Sequence, residues 1–409
     1  MKKNNLSYEN IKFLVLVAGC RAGAEFFQSL LDGHSEILQF PGIVLFNKNF
    51  KNYVNSHYYK IADNFIENYE HFFDSRIKTV ERHSMLGDDK NEYYYVDKQR
   101  FKEIFLELEK INKNKLFRDI ILDLHIAYRK AADSSFDFNS IKYVLINTHV
   151  LSNTKKFNKY LKNEKFTLIH SIRHPLSGID SATNNWLNYE DGKNFDAKDI
   201  FYQINLVTHA IKSLNKMKKN FFIIQLENIH QNSNIFINDL CDQLKIKKED
   251  KLYSSTFHGK KWWGDSISRK FLSGINKNYK INRNYKFFSK NDCEYLIFLM
   301  KDYLIKYGYS ENFSLKGSTK FTPFKFELAT WKNSFQNKKI KHLISIPYFF
   351  LIRVLFINKY FCSFKNLPYS IGGENKKFWY TKKTNLLAMY IKKILKFLLP
   401  KKVILILKK

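Results

Sequence analysis

Three short stretches carry residues able to hold an anion or move a proton. The first is Gly19-Cys20-Arg21-Ala22-Gly23-Ala24, followed by Glu25 and Phe26. Its glycines let a phosphate or sulfate approach the backbone closely. Successive N–H groups in such a turn can ring an anion, and Arg21 adds a two-pronged charged donor. The second is Thr148-His149, where an imidazole with a near-neutral pKa can take a proton from a hydroxyl. The third is Arg173, with Ser181 eight positions on, a pair able to meet one anion together. The first two also have plainer readings: a strand–turn–helix that binds nothing and a satisfied buried histidine.

These residues need elements to position them. Phe13 to Ala18 is a short apolar, β-branched run of the kind that makes a buried strand. From Glu25 on, Phe26, Phe27, Leu30 and Leu31 recur at helical spacing, and Gly33 reads as a stop. Strand, small basic loop and helix aim amides at an anion. Lys142 to Asn147 is a strand that delivers His149 to the edge where open α/β sheets bind ligands. Phe166 to Ile172 is another, leading into Arg173-His174-Pro175 and a helix toward Trp186, with Pro175 suited to the first helical turn.

Taken together, these motifs resemble the sulfotransferase family, which uses 3′-phosphoadenosine-5′-phosphosulfate (PAPS) as sulfuryl donor. The resemblance covers roughly Lys12 to Tyr309. It implies a three-layer, P-loop-like α/β fold, with a central parallel sheet flanked by helices. It also implies that Gly19, Cys20, Arg21, Ala22, Gly23, Ala24 and Glu25 hold the 5′-phosphosulfate and that Phe26 touches the adenine. Arg173 and Ser181 would hold the 3′-phosphate. His149 would be the catalytic base, and Arg21 would stabilise the leaving phosphate. Arg269 and Lys270 resemble the basic loop that closes over the 3′-phosphate, although the family's Arg-Lys-Gly triplet is not intact. Two further departures stand out. Asn147 replaces the family's Lys before Thr-His, and Ala24 and Glu25 replace a pair of hydroxyl residues.

The remainder of the chain supplies elements rather than motifs. Leu38 to Gly42 reads as a strand end and turn, and Asn47 to Asp74 as an aromatic, Lys-rich helical stretch. Arg76 to Asp89, with Glu81, Arg82 and His83, reads as a solvated loop. Asp97 to Lys110 and Lys115 to Ala132 have helical periodicity. In the second, Ile120, Ile121, Leu124 and Ala127 face inward, with Asp123 and Arg129 on other faces. Asp199 to Lys218 is amphipathic, Phe221 to Leu226 is a further strand, and Ser233 to Leu244 is a helix with Ser233 as N-cap. In Ser254 to Gly274, Trp262 and Trp263 either stack on a sugar or adenine ring or anchor the loop. Ser289 to Tyr307 is an amphipathic helix ended by Gly308.

Charge divides the chain. Its 409 residues carry a formal net charge of +31. From Phe321 on, 19 Lys and Arg face two acids, Glu327 and Glu374, so the last 89 residues hold more than half of the excess. The expected domains are a catalytic one over 1–318 and a basic, mainly helical C-terminal extension over 319–409. Leu343 to Ile357 and Leu386 to Leu407 are short or charge-broken for a membrane span. They read either as interfacial helices with snorkelling lysines or as helices packed on the catalytic domain or a second subunit. The four scattered cysteines form no C-x-x-C pair and so argue against a zinc site or a disulfide framework. They fit a reducing compartment. With no signal-peptide core ahead of the first strand, the expected location is cytoplasmic, peripheral on the inner face of the membrane.

The expected activity is sulfuryl transfer from PAPS, without a metal, to a hydroxyl of a glycan, a lipid-linked glycan or another cell-surface acceptor. Two rivals are a catalytically weak PAP(S)-binding protein and a basic protein that binds membrane or nucleic acid. No nucleic-acid-binding motif is present. A P-loop kinase is disfavoured because the loop lacks Gly-Lys-Ser/Thr and with it the Mg²⁺ ligand.

Overall fold

The structure is a computed structural model, and it describes residues 8–19, 21–45, 53, 56–77, 85–111, 116–149, 166–188, 221–264, 273–281 and 284–309. The elements predicted over Asp199 to Lys218 and all of the C-terminal extension lie outside these residues. The chain divides into two compact units, one drawn from Met1–Arg173 and Lys218–Ile281, the other from His174–Met217 and Asn282–Lys409.

The first unit is built on a five-stranded sheet. Its strands are β1 (Lys12–Ala18), β2 (Ile37–Ile43), β3 (Tyr143–His149), β4 (Phe166–Ile172) and β5 (Phe221–Gln225), in the order β2-β3-β1-β4-β5. Every neighbouring pair is parallel, so all five strands end on one edge. β1, β3 and β4 are almost wholly buried, which explains why they read as continuous apolar runs rather than alternating ones. β2 was read as a strand end and turn because of Pro41-Gly42. It is a full edge strand, the position where a residue without an N–H is tolerated.

Helices cover both faces. On one face α1 (Ala24–Leu30) packs with α7 (Leu226–Gln231) and α8 (Ser233–Leu244). Leu14, Leu16 and Leu145 of the sheet meet Phe27, Ile229, Ile237 and Leu240 there. On the other face lie α2 (Tyr58–Asn68), α3 (Glu70–Phe73), α4 (Lys98–Ile111) and α5 (Phe117–Ala132). Their core is aromatic: Phe40 stacks on Phe72 with centroids 5.6 Å apart, and Tyr58 stacks on Phe105 at 4.4 Å. α8 begins at Ser233 as expected, but the N-cap is Asn232. Lys245 closes it in the left-handed conformation, φ 53°.

α5 is buried nearly all round, so Asp123, set apart from the apolar face, is still enclosed. Asp123 is fully buried, and it accepts hydrogen bonds from the hydroxyls of Tyr8 at 2.5 Å and Tyr58 at 2.9 Å. A buried carboxylate is tolerated only with such donors. Arg118 of the same helix donates to the carbonyls of Tyr8 and Ile11, at 2.5 and 2.7 Å. The two residues clamp the segment leading into β1.

The second unit holds α6 (Pro175–Asn188), α9 (Lys290–Leu299) and α10 (Lys301–Lys306). α6 starts at Pro175, as the sequence indicates. The helix expected from Ser289 to Tyr307 is instead two helices that meet at Met300. Ser289 caps the first of them in a capping box with Asp292. The Phe287 N–H donates to Asp180 of α6 at 3.1 Å.

Candidate active site

Strand order brings three of the motifs to one edge. β1 lies at the centre, with β3 on one side and β4 on the other. The loop after β1 therefore emerges between His149, the last residue of β3, and Arg173, the first residue after β4. After β1 the chain builds β2 and β3 on one side and then crosses to β4 on the other. That reversal is a topological switch point, the place where open α/β sheets bind ligands.

The β1 loop is laced to the end of β4. The Gly19 N–H donates to Ser171 O at 3.2 Å, and the Ser171 hydroxyl donates to Ala22 O at 2.6 Å. The Arg173 guanidinium approaches Arg21 O at 3.4 Å. Arg21 has φ 48° and Gly23 φ 78°, a tight left-handed course that glycine adopts freely and arginine does not. Gly23 is the N-cap of α1 and offers no side-chain cap. The first intrahelical bond runs from the Phe27 N–H to Gly23 O at 2.9 Å, so the amides of Ala24, Glu25 and Phe26 precede it. Cys20 lies outside the described residues.

Gly23 is constrained from a second direction. A Cβ placed there would sit 2.6 Å from Cδ1 of Leu226 at the start of α7. Gly23→Ala is therefore expected to lower stability by about 1–2 kcal/mol, the cost of a left-handed alanine, with a further penalty if Leu226 cannot turn aside. Urea unfolding at neutral pH measures it. A midpoint equal to wild type would show that the loop does not need this conformation.

On the opposite side, His149 is half-buried and has φ 64°. The register between β1 and β3 slips there, from Leu16↔Asn147 to Val17↔His149. Thr148 is the extra residue of this bulge, and its hydroxyl points at Leu16 O, 3.4 Å away. A non-glycine residue in this conformation costs of order 1–3 kcal/mol and is concentrated at functional sites. The strand runs through the bulge and ends at His149, where the sequence places the histidine.

Sequence reasoning missed the rings beside Arg173. His230, at the end of α7, is stacked between Phe26 at 4.6 Å and Tyr279 at 4.7 Å, with interplanar angles of 24° and 19°. The Asn276 N–H donates to its Nδ1 at 3.2 Å, so that nitrogen carries no proton. Burial, helped by the charge of Arg173, lowers the His230 pKa to about 4. Burial raises the Tyr279 pKa, and the same arginine opposes the rise. No local pattern in E-N-I-H-Q or N-K-N-Y marks these residues, because the stack is made by chain folding back over α1.

The two tryptophans take the anchoring alternative. Trp262 is buried against Phe257, with ring centroids 5.2 Å apart. The Trp263 indole N–H donates to Gly87 O at 2.7 Å, and the ring is bracketed by Lys90 and Lys261. Both tryptophans anchor their hairpin, β6 (Thr256–Phe257) with β7 (Lys260–Lys261). Ser181 lies on α6 in the second unit, whereas Arg173 closes the first. Arg269 and Lys270, like Glu81, Arg82 and His83, lie outside the described residues.

No family model matches the chain. The Ribosomal operon-associated A protein of Euglena longa is 32% identical over 148 residues, 34% of this chain and 26% of that protein. The chain thus spans about a quarter of that relative's length. Among solved structures, the sulfotransferase domain from the curacin biosynthetic pathway is similar with a TM-score of 0.38 and 12% identity, over 74% of this chain and 99% of that one. Sulfotransferase STF9 from Mycobacterium avium is similar with a TM-score of 0.35 and 11% identity, over 75% and 79%.

Proposed function

We propose that this chain is a PAPS-dependent sulfotransferase, moving a sulfuryl group to a hydroxyl of a glycan or other cell-surface acceptor. The observation that supports this most is the arrangement at the switch point. A left-handed loop bearing Arg21 is laced to the strand that ends in Arg173, with His149 on the neighbouring strand end. In this reading Arg21 and the amides of the β1 loop hold the 5′-phosphosulfate. Arg173 holds the 3′-phosphate and Phe26 lies against the adenine; the part expected of Ser181 comes from its sequence spacing alone. The acceptor oxygen bonds to sulfur as the bond from sulfur to the phosphate oxygen breaks. The phosphate leaves with the electron pair, and His149 takes the acceptor's proton. Positioning and electrostatics carry such an in-line displacement.

Ala24 and Glu25 supply no hydroxyls to the phosphosulfate, which favours weak activity. The basic extension is read from its sequence as a contact with anionic membrane, where each nearby Lys or Arg is worth about 1 kcal/mol.

The test of the donor site is Arg173→Ala. Affinity for adenosine 3′,5′-bisphosphate, measured by calorimetry, is expected to fall by about 2–3 kcal/mol, the size of a lost charge-assisted contact. Affinity for the analogue without the 3′-phosphate should change far less. Equal losses for the two ligands would remove Arg173 from a 3′-phosphate site.

A further inference from the structure

Gln28 lies one turn into α1 and is fully buried. Its Nε2 donates to two carbonyls of β2, Phe40 O at 2.7 Å and Gly42 O at 3.2 Å. Its Oε1 accepts from Asn147 Nδ2 at 3.0 Å. Asn147 is also buried, and its Oδ1 accepts from the His149 N–H at 3.0 Å. The amide orientations are fixed by their partners. Backbone carbonyls only accept, so the Gln28 nitrogen must face β2 and its oxygen must face Asn147. The His149 amide only donates, so the Asn147 oxygen must face it and the nitrogen must face Gln28. The chain of donors and acceptors has one consistent assignment from β2 to His149.

The chain ends on a residue that needs support. His149 sits in the left-handed region immediately after the bulge, where the β1–β3 ladder is interrupted and the Asn147 side chain supplies the acceptor instead. α1, the helix that opens at the β1 loop, carries the other end of the link. We infer that Gln28 and Asn147 are positioning residues that hold His149 in its left-handed conformation and couple it to the helix of the β1 loop. The inference rests on the reading of His149 as proton acceptor for its catalytic meaning. It also explains Asn147 where the family pattern has Lys. An ammonium at this buried position could donate to Gln28 but could not accept from the His149 amide.

The test uses the full chain with Asn147→Leu, and Gln28→Met as a second variant that cuts the outer link should the first fail to fold. Hydrogen exchange of the His149 amide is read by NMR alongside bisphosphate affinity and turnover. In a folded variant the amide is expected to exchange at least about tenfold faster, reflecting local opening. Turnover should fall by about 10- to 100-fold with KM for the donor and affinity for the bisphosphate unchanged, the signature of a misplaced group rather than a damaged binding site. Unchanged protection of the amide in a folded variant would overturn the inference, whatever the activity. Faster exchange combined with a His149→Ala variant of normal turnover would retain the positioning role and reject His149 as the base.

Discussion

His149→Ala is expected to lower the rate of bisphosphate release from PAPS by about 10²- to 10⁴-fold, the contribution typical of a positioned general base. Affinity for adenosine 3′,5′-bisphosphate should stay near wild type, because His149 ends β3 while the proposed donor contacts come from the β1 loop and the end of β4. A loss confined to turnover indicates an interaction made in the transition state. The principal competitor for the role is Glu25, in the first turn of α1. If Glu25→Gln abolishes turnover and His149→Ala does not, the base has been misassigned.

The second large effect is on acid stability. His125 and His170 are buried in the sheet unit. Burial lowers the pKa of His125 to about 3, only partly opposed by its hydrogen bond to Ile121 O, and lowers that of His170 to about 4. Both rings are neutral in the folded chain and protonate near pH 6.5 once unfolded. The unfolded chain therefore binds more protons as pH drops, and the stability of the neutral rings, complete above pH 6.5, is lost toward pH 4 and below. Linkage over two such rings gives a loss of about 4 kcal/mol between pH 7 and pH 5. Urea unfolding at the two pH values measures it, and His170→Leu should reduce the difference by about 2 kcal/mol, the share of one ring, since leucine does not titrate. An unchanged pH dependence in that variant would mean that His170 is protonated or solvated in the folded state.

What could be read from the sequence followed from local physics. β1 and β4 were legible because buried parallel strands are continuous apolar runs, and α8 because its apolar spacing spans one helix between clear ends. β2 was misread because Pro41-Gly42 is a turn signal in isolation, and only its place at the sheet edge makes it a strand. The burial of Asp123 was not legible because its partners, Tyr8 and Tyr58, lie far along the chain. Arg21, His149 and Arg173 were legible as candidates because each lies at or just beyond the end of a strand. Gln28, Ser171, His230 and Tyr279 were not, because their roles depend on contacts made only after folding. Asn147 was noticed only as a departure, and its hydrogen bonds supply the physical reason for it.

The central claim is that the edge of this sheet binds a PAPS-type nucleotide. Calorimetric titration of adenosine 3′,5′-bisphosphate into the full chain tests it most directly, because the product binds where the donor does and no acceptor is needed. The account predicts saturable binding of one nucleotide per chain that competes with PAPS and is weakened by Arg173→Ala. Heat that never saturates, or binding that Arg173→Ala leaves untouched and simple salt abolishes, would contradict it.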